Sequence, residues 1–373
     1  MPPTRGSEPK PGASPAGDGD RSSGPVTLRR VAEEAGVHLS TASRALDPAQ
    51  AGRISRATVA RVHAAAEALG YTPDLVASGL KRRRTGTVGV IVSDFDNPYS
   101  GRVIRGISSV LEKKGLVALV TESVEDRGRL ERVLRHLISR RVDAIITTAL
   151  HLDDRDLVEP IRRSGVPVVL AGRSLPGGDF PAVVSDDFGG ASLAASHLLE
   201  LGHRVVAQLG GPADIDTFER RARGFLSRVA ADAARDVTVP LRARAPTLAE
   251  GRRLMAQTLD QKEPPTGVFA HNDLMAVGAM EAVEASGLSC PDDVSIVGFN
   301  DVSLASHLSP PLTTIRVATE ELGRSAGLIA LRLIDDPDTH FETLHLPALL
   351  VTRKSTTAVK GRRPRAPSRD LGT

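Results

Sequence analysis

The first part of the chain carries apolar residues at helical spacing. In residues 26–47, VTLRRVAEEAGVHLSTASRALD, the apolar positions that predict a first helix are Leu28, Val31, Ala32 and Ala35. Thr27 is the predicted N-cap, and Gly36 breaks the pattern where a turn needs positive φ. A second helix is predicted from about 39 to 46 and a third from about 55 to 69. Small alanines let the first two helices approach closely, as a helix-turn-helix requires.

From Val88 onward the pattern changes to short apolar runs that alternate with amphipathic helices. Buried parallel strands are predicted at 88–93, 117–121, 143–148 and 167–171, with helices such as 101–114 and 127–140 between them. The alternation restarts after VVSDD, with strands near 204–209, 267–270 and 294–298. Two consecutive doubly wound units predict two lobes with a cleft at the carboxyl ends of their strands.

The formal net charge of +3 is unevenly distributed along the 373 residues. Residues 26–84 carry +5, residues 85–359 carry −6, and residues 360–373 carry +4. A basic N-terminal module on an acidic body indicates that the small module binds a polyanion. Charge alone leaves open an ordinary solvated basic surface.

Other features of the sequence narrow the protein class. No apolar run is long enough to span a bilayer, and residues 1–25 are rich in Pro, Gly and Ser, which predicts a disordered tail rather than a secretory signal. The single Cys290 excludes a disulfide framework, and the histidines lack metal-ligand spacing. There is no phosphate-binding G-x-x-x-x-G-K-[ST] loop, and residues 172–176 lack the last glycine of a hydrolase nucleophile elbow. We therefore expect a cytoplasmic protein that is not an enzyme and has no cofactor or metal.

The string at 26–47 resembles the DNA-binding domain of the LacI/GalR family of bacterial regulators. The matching residues are Val26, Thr27, Leu28, Val31, Ala32, Ala35, Gly36, Val37, Thr41, Ser43, Arg44 and Leu46. Departures from the family pattern are Arg30, His38, Ala42 and Asp47, of which His38 and Asp47 fall where the family often contacts phosphate. The resemblance implies that Leu39, Ser40 and Arg44 lie on the exposed part of the recognition helix, with Arg44 able to bind guanine bidentately. Thr27, Thr41, Ser43 and Ser55 suit phosphate contacts, although Thr27 and Ser55 also suit helix capping.

A short basic segment, residues 73–85, separates this module from the body. Asp74 can cap a short helix, DLVASGLK, which is marginal in isolation. By resemblance, Leu80 occupies the position of the leucine that opens the central minor groove when two hinge helices pair on the operator. A solvated basic linker is the alternative interpretation.

The body resembles the two-lobed core of the same family, which is itself similar to periplasmic binding proteins. The strings that carry this resemblance include HLLELGHRVVAQLGG, FAHNDLMAVGAMEA and DDVSIVGFNDVSLA. The effector-facing residues that it implies are Phe95, Asn97, Tyr99, Arg173, Arg221, Asn272 and Asn300. Arg173 could equally face solvent, and Asp273 is predicted to cap a helix. Arginine and amide side chains around an aromatic ring suit a polyol, whereas carboxylate or purine ligands stay open.

The predicted architecture is α/β: an N-terminal three-helix helix-turn-helix domain (26–72), a hinge (73–85), and a two-lobed core of doubly wound parallel sheets (86–357). Lobe one is expected at about 86–184 and 317–339, lobe two at about 185–316 and 340–357, and a basic disordered tail at 358–373. We expect a homodimeric repressor that binds a near-palindromic operator under the control of a small molecule, a sugar or sugar derivative. The alternative is a sugar-binding or sugar-processing protein with a basic helical cap. The direction of the effector's action and its identity stay open.

Overall fold

The computed structural model describes residues 26–47, 50–71, 84–232, 235–236 and 242–359. By its internal contacts the chain divides into two units, residues 1–81 and 82–373. Each unit has its own hydrophobic core, and Leu80 with nearly all of the predicted hinge lies outside the described residues.

The N-terminal unit contains three helices: α1 (Leu28–Glu34), α2 (Leu39–Ala45) and α3 (Arg56–Leu69). Its core is built from small side chains, with Val31, Ala42 and Val62 each fully buried. Because alanine and valine occupy little volume, α1 and α2 pack closely, as the sequence predicts for a helix-turn-helix. Gly70 ends α3 with φ of 64°, a left-handed conformation that glycine adopts without strain.

The second unit consists of two α/β lobes. Lobe one contains β1 (Thr87–Val92), α4 (Pro98–Leu111), β2 (Val117–Glu122), α5 (Arg127–Ser139), β3 (Ala144–Thr147), α6 (Arg155–Arg163), β4 (Val168–Ala171), β5 (Ala182–Ser185), α11 (Thr319–Asp335) and β11 (Leu344–Leu346). Lobe two contains α7 (Asp187–Glu200), β6 (Val205–Leu209), α8 (Asp216–Ala231), β7 (Arg235–Asp236), α9 (Leu248–Leu259), β8 (Gly267–Ala270), α10 (Asp273–Ala285), β9 (Ser295–Asn300), β10 (Thr313–Val317) and β12 (Ala348–Val351).

The strands of the two lobes are arranged in the same order. The strand order is β2-β1-β3-β4-β5-β11 in lobe one and β7-β6-β8-β9-β10-β12 in lobe two. All described strand pairs are parallel except the antiparallel pairing of β12 with β10. This is a doubly wound order, and the loops at the carboxyl ends of its strands are where such sheets bind ligands. The predicted fold class is therefore confirmed.

Two details differ from the sequence-based expectation. The segment 340–346 was expected in lobe two, but β11 pairs with β5, and Phe341 and Leu346 pack on the core of lobe one. The final crossing of the chain to lobe two therefore lies between β11 and β12. In addition, β2 is an edge strand rather than a fully buried one, with Val117 62% exposed.

In each lobe, two helices pack closely against one another at a glycine. A Cβ added to Gly278 of α10 would lie 2.0 Å from the carbonyl oxygen of Leu248, which opens α9. A Cβ added to Gly106 of α4 would likewise lie 2.1 Å from the Glu320 carbonyl oxygen of α11. Backbone atoms cannot move aside as a flexible side chain can, so there is no room for even a methyl group at these two glycines.

We expect Gly278→Ala to lower the free energy of unfolding by about 1–3 kcal/mol, because α9 and α10 must separate. Gly101→Ala is the matched control: it lies in α4 with no heavy atom within 4 Å of the added Cβ. Alanine there should raise stability by about 0.5–1 kcal/mol, since it restricts the unfolded chain. Urea unfolding of both variants checks these opposite signs, and equal shifts would contradict the close-packing argument.

Candidate functional site

The exposed side chains of α2 form the candidate DNA-reading surface. Leu39, Ser40, Ser43 and Arg44 are exposed, and Thr41 is half-buried. The Arg44 guanidinium donates from Nε to the Ser40 carbonyl oxygen at 3.1 Å, so it lies along its own helix. No buried partner holds these side chains within the described residues, and they can therefore turn toward a groove.

The helix N-termini of this unit differ in how they are capped. The Ser55 hydroxyl accepts a hydrogen bond from the Thr58 N–H at 3.2 Å, so its capping role is present. Thr27 stands at the N-cap of α1, but its side chain makes no capping hydrogen bond and is exposed. His38 Nδ1 accepts from the Ser40 N–H at 3.3 Å and caps α2. The His38 ring therefore takes the role that serine or threonine commonly fills at an N-cap.

The candidate effector site is a cavity of about 60 Å³ between the two lobes, where the carboxyl ends of the strands meet. Six of the seven residues predicted from the sequence line it: Asn97, Tyr99, Arg173, Arg221, Asn272 and Asn300. Phe95 is absent from the lining and is 51% exposed, with its N–H bonded to Glu122. The other lining residues are Ser93, Glu125, Thr148, Ala171, Gly172, Ser185, Asp187, Ile215, Thr217, Phe218 and Pro246.

Arg221 is paired with a carboxylate that the sequence analysis did not identify. Its Nε donates to Asp187 Oδ1 at 2.9 Å, and neither residue is more than 5% exposed. The guanidinium also lies 3.7 Å from the centre of the Phe299 ring. Burial raises the pKa of Asp187 and lowers that of Arg221, and the ion pair between them opposes both shifts. Asp187 ends the string VVSDD, two residues after β5, so its position close to a strand end was the available signal.

Arg173 faces the cavity and not solvent, and it too is paired. It makes a bidentate contact with Glu125, with Nη2–Oε1 at 2.5 Å and Nη1–Oε2 at 3.1 Å. Burial by itself would raise the pKa of Glu125, but Arg173 and the His151 hydrogen bond outweigh it and lower the pKa to about 2. Val124 and Glu125 both have positive φ, 56° and 52°. No sequence pattern predicts a carboxylate that reaches the cavity from such a loop.

The three asparagines of the lining differ in whether the side-chain oxygen has a hydrogen-bond partner. Asn97 and Asn272 cap α4 and α10 by accepting hydrogen bonds from Tyr99 N–H (3.1 Å) and Met275 N–H (2.7 Å). The Oδ1 of Asn300 is buried and has no hydrogen-bond partner. A buried acceptor without a donor is costly, so this oxygen is suited to a donor supplied by a ligand. Asn300 also has φ of 114°, which is unusual for a side-chain-bearing residue.

Asp273 does not cap α10 as predicted, because Asn272 has that role. Its carboxylate instead accepts from the Val302 N–H at 2.8 Å and the Thr314 hydroxyl at 2.5 Å. Burial raises the pKa of Asp273 to about 7. Asp273 therefore fastens α10 to the loop that follows Asn300 and to β10.

Two aromatic side chains, Tyr99 and Phe218, also line the cavity. Burial, together with the charge of Asp187, raises the pKa of Tyr99 to about 12, so its hydroxyl keeps its proton. A Cβ at Gly172 would lie 2.7 Å from that hydroxyl, and glycine there lets the ring enter the cavity. Phe218 stacks on His271 at 6.1 Å between ring centroids and offers an apolar face. Hydroxyls, amides and an aromatic face together suit a polar organic ligand.

Two kinds of feature are absent from the described part of the chain. It contains no cluster of three or more His, Cys, Asp or Glu side chains that could hold a metal ion. None of its helices is both long and apolar enough to cross a membrane.

Both units match known protein families. Residues 27–74 match the family described as "Bacterial regulatory proteins, lacI family", and residues 195–356 match "Periplasmic binding protein-like domain". The HTH-type transcriptional repressor CytR of Escherichia coli (strain K12) is 30% identical over 335 residues, which is 90% of this chain and 97% of CytR.

Two solved structures extend the likeness. A lac repressor dimer bound to operator and the anti-inducer ONPF is 28% identical, with a TM-score of 0.78 over 90% of this chain and all of that one. The complex of the transcriptional regulator CelR with cellobiose is 30% identical, with a TM-score of 0.67 over 88% of this chain and 99% of that one. Both matches include the DNA-binding unit and the core. The chain belongs to the lacI family of bacterial regulatory proteins.

Proposed function

We propose that this chain is a cytoplasmic, non-enzymatic repressor that binds a near-palindromic operator as a homodimer and is controlled by an uncharged sugar. The DNA-binding half rests on the exposed α2 surface and on likeness to repressors over nearly the whole chain. The observation that carries the ligand class is the pairing of both cavity arginines with carboxylates, Arg173 with Glu125 and Arg221 with Asp187.

Charge balance in the cavity favours a neutral ligand. A phosphate or carboxylate on the effector would compete with Glu125 and Asp187 for the same guanidinium groups, and like charges at short range are unfavourable. A sugar hydroxyl can instead donate to Asn300 Oδ1 and accept from arginine without displacing either ion pair. Phe218 supplies the apolar face on which a sugar ring stacks.

The cavity lies between the two lobes, so an effector bound there contacts both of them. Coupled movement of the lobes is how an effector alters the population of the DNA-competent form.

The test uses DNA from upstream of the protein's own gene in fluorescence anisotropy, with excess non-specific competitor. We expect a specific complex whose affinity falls with salt and changes at least tenfold with one uncharged mono- or disaccharide, in either direction. The phosphorylated form of that sugar should have no effect. Asn300→Gly, which suits positive φ, should lose the response, and Phe95→Ala should keep it because Phe95 lies outside the lining.

Two outcomes would contradict the proposal. If no specific complex forms at low salt, with or without sugars, the alternative of a sugar-binding protein with a basic helical cap is favoured. If only a phosphorylated or carboxylated compound changes the affinity, the ligand class is wrong while the repressor function stands.

A further inference from the structure

We propose that His151, as an imidazolium, fastens lobe one to lobe two beside the effector cavity, so that uptake of a proton accompanies closure of the lobes. His151 is a positioning residue in this proposal, since it acts on the cavity through Glu125. The inference rests on the proposed function only for its consequence, namely that effector affinity depends on pH.

The two ring nitrogens of His151 reach carboxylates on opposite sides of the cleft. Nε2 lies 3.0 Å from Glu125 Oε2 in lobe one, and Nδ1 lies 2.7 Å from Asp214 Oδ2 in lobe two. An ionised carboxylate only accepts hydrogen bonds, and a neutral imidazole has a single N–H to donate. Both contacts can be hydrogen bonds only when both ring nitrogens carry a proton.

The same junction includes a backbone contact between the lobes. The Leu152 N–H donates to the Asp214 carbonyl oxygen at 2.8 Å, immediately next to the His151 contact. Other contacts cross the cleft nearby: Ser174 donates to Asp216 and accepts from Arg220, and Thr217 donates to the Gly172 carbonyl oxygen. None of these contains a histidine. His151 is therefore the group at this junction whose charge changes in the neutral pH range.

Glu125 connects the junction to the cavity. Its Oε2 accepts hydrogen bonds from both His151 Nε2 and Arg173 Nη1, while its Oε1 accepts one from Arg173 Nη2. Glu125 lines the cavity, whereas His151 is absent from the lining. Loss of the proton from His151 leaves a single N–H on the ring, so either the hydrogen bond to Glu125 or the one to Asp214 is lost. The orientation of the Glu125–Arg173 pair and closure of the cleft are thus linked through one ring.

The charged groups that face His151 come from both lobes. The hydrogen bond to Glu125 raises the pKa of His151, burial opposes it, the bond to Asp214 raises it further, and Arg173 lowers it, with a net increase. Asp154 accepts from the His151 backbone N–H and is itself paired with Arg127.

Opening the cleft would remove Asp214 and bring the pKa of His151 back toward the ordinary value of about 6.5. The closed form therefore holds the proton more tightly than the open form. Closure is favoured at low pH, and this advantage is lost as the pH rises through the raised pKa of the closed form.

The first experiment is an imidazole NMR titration of the full-length protein, with the His151 signal assigned by its loss in His151→Gln. We expect a pKa above the ordinary value in the native chain and a lower one in Asp214→Asn. Asp153→Asn is the matched control, because it removes an exposed carboxylate from the same loop without touching the ring. An ordinary pKa in the native chain, or no change in Asp214→Asn, overturns the proposal.

The second experiment measures closure without any effector or DNA. Hydrogen exchange at Leu152 N–H, corrected for the intrinsic rate at each pH, reports the backbone contact between the lobes. We expect protection to fall about tenfold between about pH 6 and about pH 8.5 in the native chain. In His151→Gln it should stay low throughout. Protection that is independent of pH in the native chain overturns the link to closure.

Because neither readout uses a sugar or an operator, failure here is distinguishable from failure of the proposed function.

Discussion

Replacing Arg44 with alanine is expected to weaken operator binding by about 2–6 kcal/mol, which corresponds to roughly 30-fold to more than 10⁴-fold in affinity. A bidentate contact from arginine to guanine contributes about 1–3 kcal/mol of discrimination, and a homodimer makes that contact twice. In the free protein the exposed Arg44 side chain donates hydrogen bonds only to Ser40 of its own helix among the described residues, so the substitution removes no hydrogen bond from the core. Anisotropy titrations against the operator and against a scrambled sequence measure the effect.

The control for Arg44 is Arg61→Ala, which removes the same charge from an exposed position of α3. If Arg44 reads a base, its loss should lower operator affinity and leave affinity for scrambled DNA nearly unchanged. If Arg44 contacts only phosphate, both affinities should fall alike and the salt dependence should become weaker by about one unit of slope. The second result would reject base reading by Arg44.

Replacing Asp187 with asparagine is expected to lower the free energy of unfolding by about 3–5 kcal/mol. The change is isosteric, so the loss comes from charge: Arg221, 5% exposed, would be left without its buried counter-ion. Arg220 also contacts Asp187 but keeps Asp216 at 2.7 Å. Urea or thermal unfolding of the full-length protein provides the measurement, and the response to effector should be lost together with stability.

A double variant separates charge from packing in this test. Asp187→Asn combined with Arg221→Met removes both charges, so the unfolding free energy should recover most of the loss. Asp179→Asn is the external control, because its ion pair with Arg155 is half-exposed and should contribute at most about 1 kcal/mol. A single variant at Asp187 that costs no more than this control would refute the argument.

The sequence predicts the parts of the site that depend on position along a strand or helix. Asn97, Asn272 and Asn300 follow strands whose apolar runs are unmistakable, and parallel strands bring their carboxyl ends together. The three helices of the N-terminal unit begin and end within two residues of their predicted bounds, because glycine and the small apolar residues fix the turns.

The remaining parts depend on contacts that no local pattern carries. Glu125 reaches the cavity because two successive residues adopt positive φ, a conformation that nothing in the letters Ser-Val-Glu-Asp favours. His151 acquires its second partner from a residue 63 positions later, across the cleft. The placement of β11 likewise depends on the free edge of β5, which is created only when the sheet has assembled.

The late return of the chain to lobe one has a consequence for synthesis on the ribosome. Lobe one begins at β1, but its core needs Leu322, Ala326 and Ile329 of α11, and its sheet edge needs β11. While residues 187–317 emerge and form most of lobe two, the apolar face that α11 will cover has no partner. The nascent chain thus exposes a hydrophobic surface for the time needed to add more than a hundred residues, about 5 to 30 s at bacterial rates. Lobe one therefore cannot complete its core until most of lobe two has been synthesised.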